Sequence, residues 1–241
     1  MKKVEIVIPA HNEEEILESS LNKLYSHLNK IKDFKWEVII GENGSTDNTF
    51  KLAKSLEKKF TNLKTLHIKD PSRDGVLKEV WSKSRADVLI YMDADMSTDP
   101  KHVYELIKAI ANEKYDVAIG SRMKKGAKIK RSLIRRLMSL VYYSILLPVV
   151  LPVGVKDTQC GFKAINQKVA KNIIPKLVKE NGFLDTELIA VARYKNYMIK
   201  EIPIEWTEAE RTSTMNVYRN ISRFLKNILK TRYKIRNKYY D

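Results

Sequence analysis

Apolar and polar positions alternate in blocks along the first half of the chain. The run 4–10, Val-Glu-Ile-Val-Ile-Pro-Ala, is apolar and β-branched and predicts a strand. Residues 12–28 then show helical periodicity, with acids in the first turn where the helix dipole favours them. The same pair of patterns recurs. Strands are predicted at 36–41, 63–68, 86–92 and 115–121, and helices at 45–60, 74–84 and 100–112. Ser45 or Thr46 is placed to cap the second helix. Pro100 sits in the first turn of the fourth, with Asp99 before it as the cap. This strand–helix rhythm predicts an α/β fold with a mostly parallel central sheet and helices on both faces.

Such sheets bind ligands at the carboxyl ends of their strands. Here those ends read Pro-Ala-His-Asn-Glu from Pro9, Gly-Glu-Asn-Gly-Ser-Thr-Asp from Gly41, Met-Asp-Ala-Asp from Met92 and Ile-Gly-Ser-Arg from Ile119. These are polar, acid-rich or basic turns, so four loops converge on one expected site. Asp93 and Asp95, two apart after an apolar run, repel each other unless a cation lies between them. Their hard oxygen donors suit Mg²⁺ or Mn²⁺.

Beyond residue 121 the pattern changes. The span 137–155 has no charged residue but is interrupted by Pro148 and Pro152. A lipid-spanning helix needs about 20 apolar residues, so no transmembrane helix is expected, and the span reads as an amphipathic or interfacial helix ending near Pro148. The C-terminal stretch 217–229 spaces its apolar residues as a basic amphipathic helix. The expected organisation is one domain over 1–210, carrying an amphipathic, membrane-type segment at about 128–152, and a basic amphipathic C-terminal helix over 211–241. The start of the chain lacks the long apolar core of a signal peptide.

The chain of 241 residues has a net charge of +16, and that charge is localised. Residues 122–136 hold eight Lys/Arg and no acid, and residues 211–241 hold nine with one acid, giving 17 − 1 = +16. The remainder, with 28 bases and 28 acids, is neutral. Two basic segments on a neutral body point to an anionic partner at particular places, either a membrane surface or a nucleic acid. A hydrophobic content of 44% excludes a disordered chain. The single cysteine, Cys160, excludes an internal disulfide and fits a reducing compartment.

Taken in order, these motifs resemble the inverting family-2 glycosyltransferases with the Rossmann-like GT-A fold. Val-Ile-Pro-Ala-His-Asn-Glu-Glu at 7–14, Gly-Glu-Asn-Gly-Ser-Thr-Asp at 41–47, Asp-Ala-Asp at 93–95 and Gly-Ser-Arg at 120–122 match the family's successive strand ends. The stretches 157–165 and 183–206 resemble the dolichyl- or polyprenyl-phosphate glycosyl synthases, the glucose type more than the mannose type. The resemblance implies a nucleotide-sugar donor, with UDP-glucose favoured over GDP-mannose. It implies that Pro9, Ala10, His11, Glu13 and Glu42 cradle the nucleoside, and that Asp93, Ala94 and Asp95 meet the ribose, diphosphate and metal. Ser97 stands where relatives add a further metal ligand. Arg73 substitutes for a basic residue that relatives carry one position later, where this chain has Asp74. Arg211 falls in a loop that closes over the donor.

The resemblance places the acceptor phosphate at Arg135 and Ser139, one helical turn apart, with Arg122 beside them. A lipid phosphate is mostly ionised at neutral pH, since its second pKa is about 6, and needs cations rather than a strong base. Glu187 is the late acidic residue assigned to catalysis. The expected enzyme is metal dependent and sits peripherally on the cytoplasmic face of an anionic membrane; a homo-oligomer is compatible with it. Two rivals stand: a family-2 transferase with a soluble or glycan acceptor, and a basic nucleic-acid-binding module. The second leaves the acidic strand ends unexplained and lacks nucleic-acid motifs, so no nucleic acid is expected.

Overall fold

The computed structural model describes residues 1–130, 147–178, 182–208 and 217–241. Its centre is a seven-stranded sheet in the order β3-β2-β1-β4-β7-β5-β8. The strands are β1 (Lys3–Ala10), β2 (Lys35–Asn43), β3 (Leu63–Ile68), β4 (Val88–Met92), β5 (Val117–Ser121), β7 (Phe162–Asn166) and β8 (Ile199–Pro203). β3, β2, β1 and β4 run parallel, as the alternating pattern predicts. β7 lies antiparallel between β4 and β5, an insertion the sequence pattern does not announce. A separate parallel pair joins β6 (Lys128–Lys130) to β9 (Glu205–Thr207).

β4 and β5 are buried along their whole length, because helices cover both faces and leave no polar side. One core packs α1 (Leu17–Leu28), α2 (Thr49–Leu56) and α4 (Val103–Ala111) on one face. The other packs α3 (Arg73–Lys83), α5 (Leu147–Val150), α6 (Gln167–Asn172) and α7 (Leu184–Tyr194), with α8 (Val217–Arg236) laid against it.

Two element starts differ from the sequence reading. α1 begins at Leu17, not at residue 12. Asn12 adopts a left-handed φ of 56°, and its carboxamide oxygen accepts from the Thr46 amide at 2.8 Å. The Glu14 carboxylate accepts from the Asn48 amide at 2.8 Å. Asn12 and Glu14 are therefore used to tie two loops together and not to start a helix. α2 begins at Thr49, and the Asp47 carboxylate, not Ser45 or Thr46, accepts from the Thr49 amide at 2.9 Å. Asp99 does cap the turn at Pro100, accepting from the Lys101 amide at 3.0 Å.

The expected interfacial helix lies partly outside the described residues, which resume at 147. From there Leu147, Leu151 and Val153 are buried in the second core. The end of the apolar span therefore packs against protein at these three residues, while the rest of the expected helix lies outside the described residues. Among the described residues no helix is long and apolar enough to cross a membrane.

Candidate functional site

The strand order reverses between β1 and β4, since β1 pairs with both β2 and β4. A crevice therefore opens at their carboxyl ends. Register sets which residues meet there. Ala10 is opposite Glu42, and Glu42 opposite His67.

Asp93 follows β4 directly. Its amide donates to the Gly161 carbonyl at 3.1 Å. Gly161 leaves room for the Asp93 carboxylate, since a Cβ there would stand 1.8 Å from Asp93 Oδ2. Burial pushes the Asp93 carboxyl up to about 6, with the charges of Asp95 and Asp185 adding to the rise and Arg73 and Lys163 opposing it. Asp95 is exposed, and its Oδ1 accepts from the Ser97 amide at 2.9 Å. Two neighbouring carboxylates, one of them adding to the rise of the other, form an oxygen donor set that a hard divalent cation fits. Among the described residues no three His, Cys, Asp or Glu converge into a metal cage. A cation here would complete its shell with water or with oxygens of a bound ligand.

Beneath Asp93 lies a charged cluster that sequence reasoning missed. Tyr91 shares Asp93's face of β4, two residues earlier. It pairs across the sheet with Lys163 of β7. Lys163 is fully buried, 2.7 Å from Asp185 Oδ1, and its ammonium also meets the Cys160 carbonyl. Arg73 donates to Asp185 Oδ2 at 2.7 Å, to Tyr91 Oη at 3.2 Å and to its neighbour Asp74. Burial would push the Asp185 carboxyl up, but Lys163 and Arg73 outweigh it and hold the group ionised, below its usual range. Arg73, expected at the site, is thus present and fixed from three sides, with about a third of its side chain still reaching solvent (29%). Asp74 is fully buried and accepts from the Phe183 and Leu184 amides at 3.2 and 3.1 Å, capping α7 from another helix. A lysine inside the apolar Phe-Lys-Ala-Ile of β7 is the one sequence signal for this cluster.

The nucleoside side is partly as expected. Pro9 and Ala10 end β1, and Glu13 joins the next loop through its amide, which donates to Thr49 Oγ1 at 2.7 Å. His11 is exposed and donates its Nδ1 proton to the Asn43 carbonyl at 2.8 Å, so its ring is oriented. Glu42 is different. It is fully buried, with Oε1 taken by the Ser45 amide at 2.6 Å and Oε2 by His67 Nδ1. Burial would raise its carboxyl, but these hydrogen bonds win and hold it below the usual range. As it stands Glu42 orients His67 and presents no oxygen to a base; His67, packed at a tilt against Phe50 with ring centroids 4.8 Å apart, carries the exposed edge.

Two other assignments place differently. Arg122 forms a bidentate pair with fully buried Asp157, at 2.7 and 2.9 Å, and lies over the Trp206 ring. Its guanidinium is thereby committed to the fold. Glu187 is also fully buried, but away from the crevice. It accepts from the Val178 amide at 2.7 Å and from the Tyr240 hydroxyl, with Lys234 at 3.6 Å, and so fastens the C-terminal helix. Of the late acids, Asp185 and not Glu187 lies with the cluster under Asp93. Ala94 is buried between the two aspartates. Cys160 is buried, its thiol pushed up to about 12 by burial, and stays protonated. Arg135, Ser139 and Arg211 lie outside the described residues.

A mostly parallel sheet reversing at β1/β4, with a carboxylate pair at the reversal, is the arrangement of an open α/β fold that carries its ligand crevice at the strand ends. The sequence pattern of Glycosyl transferase family 2 matches residues 5–174, and the chain belongs to that family. Glycosyltransferase AglD of Haloferax volcanii is 29% identical over 230 residues, which is 95% of this chain and 36% of that protein. The dolichyl-phosphate β-glucosyltransferase of Dictyostelium discoideum is 30% identical over 242 residues, 95% of this chain and 73% of the relative. The human dolichyl-phosphate β-glucosyltransferase is 30% identical, covering 87% and 68%. The chain thus spans about a third of AglD and about two thirds of the others. In three dimensions it matches Mycobacterium tuberculosis glucosyl-3-phosphoglycerate synthase, solved with Mn²⁺, UDP and glucosyl-3-phosphoglycerate. The TM-score is 0.72 at 17% identity, over 96% of this chain and 80% of that one. The fold is therefore that of the GT-A glycosyltransferases.

Proposed function

We propose that this glycosyltransferase moves glucose from UDP-glucose to a dolichyl or polyprenyl phosphate, inverting the anomeric centre, at the cytoplasmic face of a membrane. The observation that carries the reading is the carboxylate pair Asp93/Asp95 at the strand reversal, in a chain whose relatives include dolichyl-phosphate β-glucosyltransferases. The donor reading is supported by the UDP in the structural neighbour.

Asp93 and Asp95 would hold Mg²⁺ or Mn²⁺, with Ser97 or water beside them. When bound, that cation neutralises charge developing on the leaving diphosphate. Arg73, fixed by Asp185 and Tyr91, adds a second positive group that reaches solvent beside Asp93. His11 offers an oriented ring for a base to stack on, flanked by Pro9, Ala10 and Glu13. Arg211 is assigned to closure over the donor. The acceptor phosphate falls to Arg135 and Ser139, because Arg122 is engaged by Asp157. An ionised phosphate attacks without a protein base, so the reading does not need Glu187 at the site.

The test is transfer of labelled sugar from a panel of UDP- and GDP-sugars to a short polyprenyl phosphate in detergent, with Mn²⁺, Mg²⁺ or EDTA. Metal-dependent glucosyl lipid from UDP-glucose is expected. Product from GDP-mannose alone would overturn the donor. Donor hydrolysis with lipid acceptor present, but no lipid product, would overturn the acceptor.

A further inference from the structure

α8 shows two faces. Asn227, Ile228 and Thr231 are buried, and Phe224 packs edge-on against Phe183 at 5.8 Å. This side belongs to the second core. On the outer side Leu225, Leu229 and Tyr233 follow one another at a four-residue spacing and are 37, 61 and 69% exposed. Residues four apart lie on one line of a helix. Single exposed leucines are ordinary, but here three large apolar side chains form a stripe. Exposed Lys226, Lys230 and Arg236 flank it. The helix contains seven Lys/Arg and no acid.

This combination narrows the occupant. A second copy of the helix would bring two basic faces together, which costs affinity. A nucleic-acid backbone would use the bases and leave the apolar stripe in water. An anionic bilayer uses both: the stripe enters the boundary between headgroups and acyl chains while the bases stay among phosphates. We infer that the Leu225–Leu229–Tyr233 face of α8 is a docking surface for an anionic membrane. The inference rests on the proposed lipid acceptor for its purpose, and on the helix surface for its grounds. Glu187 and Arg232 fasten the inner side of α8 to the body, through Tyr240 and the Val150 carbonyl. The helix therefore carries the catalytic crevice with it to the bilayer.

Flotation of the full chain with phosphatidylcholine vesicles, with and without phosphatidylglycerol, tests this without donor or acceptor. The wild type is expected to float with anionic vesicles, less with neutral ones, and less as salt rises. Leu225→Ser/Leu229→Ser/Tyr233→Ser should weaken partitioning about tenfold or more, with an unchanged melting temperature and unchanged UDP binding. Leu229→Ser alone, read the same way, serves if the triple variant does not fold. Wild-type flotation by the folded variant would overturn the inference. So would a wild type that stays unbound, or one that is dimeric in solution and made monomeric by the substitutions. Membrane binding without sugar transfer would leave this surface standing while refuting the proposed reaction.

Discussion

Gly161 and Asp93 form a pair whose coupling can be worked out from distances. In Gly161→Ala the new methyl would stand 1.8 Å from Oδ2, 2.3 Å from Cγ and 2.5 Å from Oδ1 of Asp93. Ordinary contact begins at 3.4 Å, so the carboxylate must retreat by roughly 1.6 Å. The backbone bond from the Asp93 amide to the Gly161 carbonyl is untouched, and Gly161 has no left-handed φ that an alanine would strain. The fold should persist, with a loss of about 1–3 kcal/mol for overpacking. A 1 Å misplacement of a positioned group costs on the order of a hundredfold in rate, so activity should fall by about that factor. The assay is a double-mutant cycle with Asp93→Ala, reading both kcat/KM and the melting temperature. If the methyl acts through the carboxylate, Gly161→Ala should cost almost nothing further once Asp93 is alanine. The argument fails if the two losses simply add, or if Gly161→Ala alone keeps wild-type turnover.

Three further outcomes follow. Asp95→Ala should leave the melting temperature within about 2 °C, since only the Ser97 amide loses a partner, yet lower Mn²⁺-dependent turnover about a hundredfold or more; titration calorimetry with UDP present should show the lost cation. Asp157→Asn should lower stability by about 3 kcal/mol, because Arg122 keeps its charge with no buried counter-charge; a change confined to the acceptor KM would instead return Arg122 to the acceptor site. Glu5 is buried in β1, and burial raises its carboxyl from 4.5 to about 7. The folded state therefore holds that proton more tightly than the unfolded chain, so the stability that Glu5 contributes is fully present below about pH 4.5 and is lost as pH rises to about 7. Glu5→Gln should add about 2 kcal/mol at pH 8 and nothing near pH 4, measured by denaturant unfolding at both.

The first half of the fold was legible because β4 is buried on both faces and reads as an unbroken apolar run, β1 and β2 are apolar through most of their length, and each is closed by a polar turn. The aspartates at 93 and 95 stood out for the same reason. What could not be read was pairing at long range. β7 contains a lysine, which argues against a central strand until Asp185 and Tyr91 are known to receive it. Arg122 looked like a free cation because its partner is 35 residues away. Asp185 and Glu187 lie two apart on α7, about 200° around the helix, so only packing decides which of them faces the cluster. Glu42 matched its motif, but His67 on the neighbouring strand has taken its carboxylate.

Arg73 and Asp74 sit at the start of α3, and between them they hold Asp185 and the first amides of α7. The start of α3 is thus bolted to the start of α7 by three hydrogen bonds, one from Arg73 to Asp185 and two from the Phe183 and Leu184 amides to Asp74. In a chimaera joining the first half of one relative to the second half of another, residues 73–74 and 183–185 form a single inherited unit. Recombinants that exchange the two halves are expected to fold when they carry this latch whole.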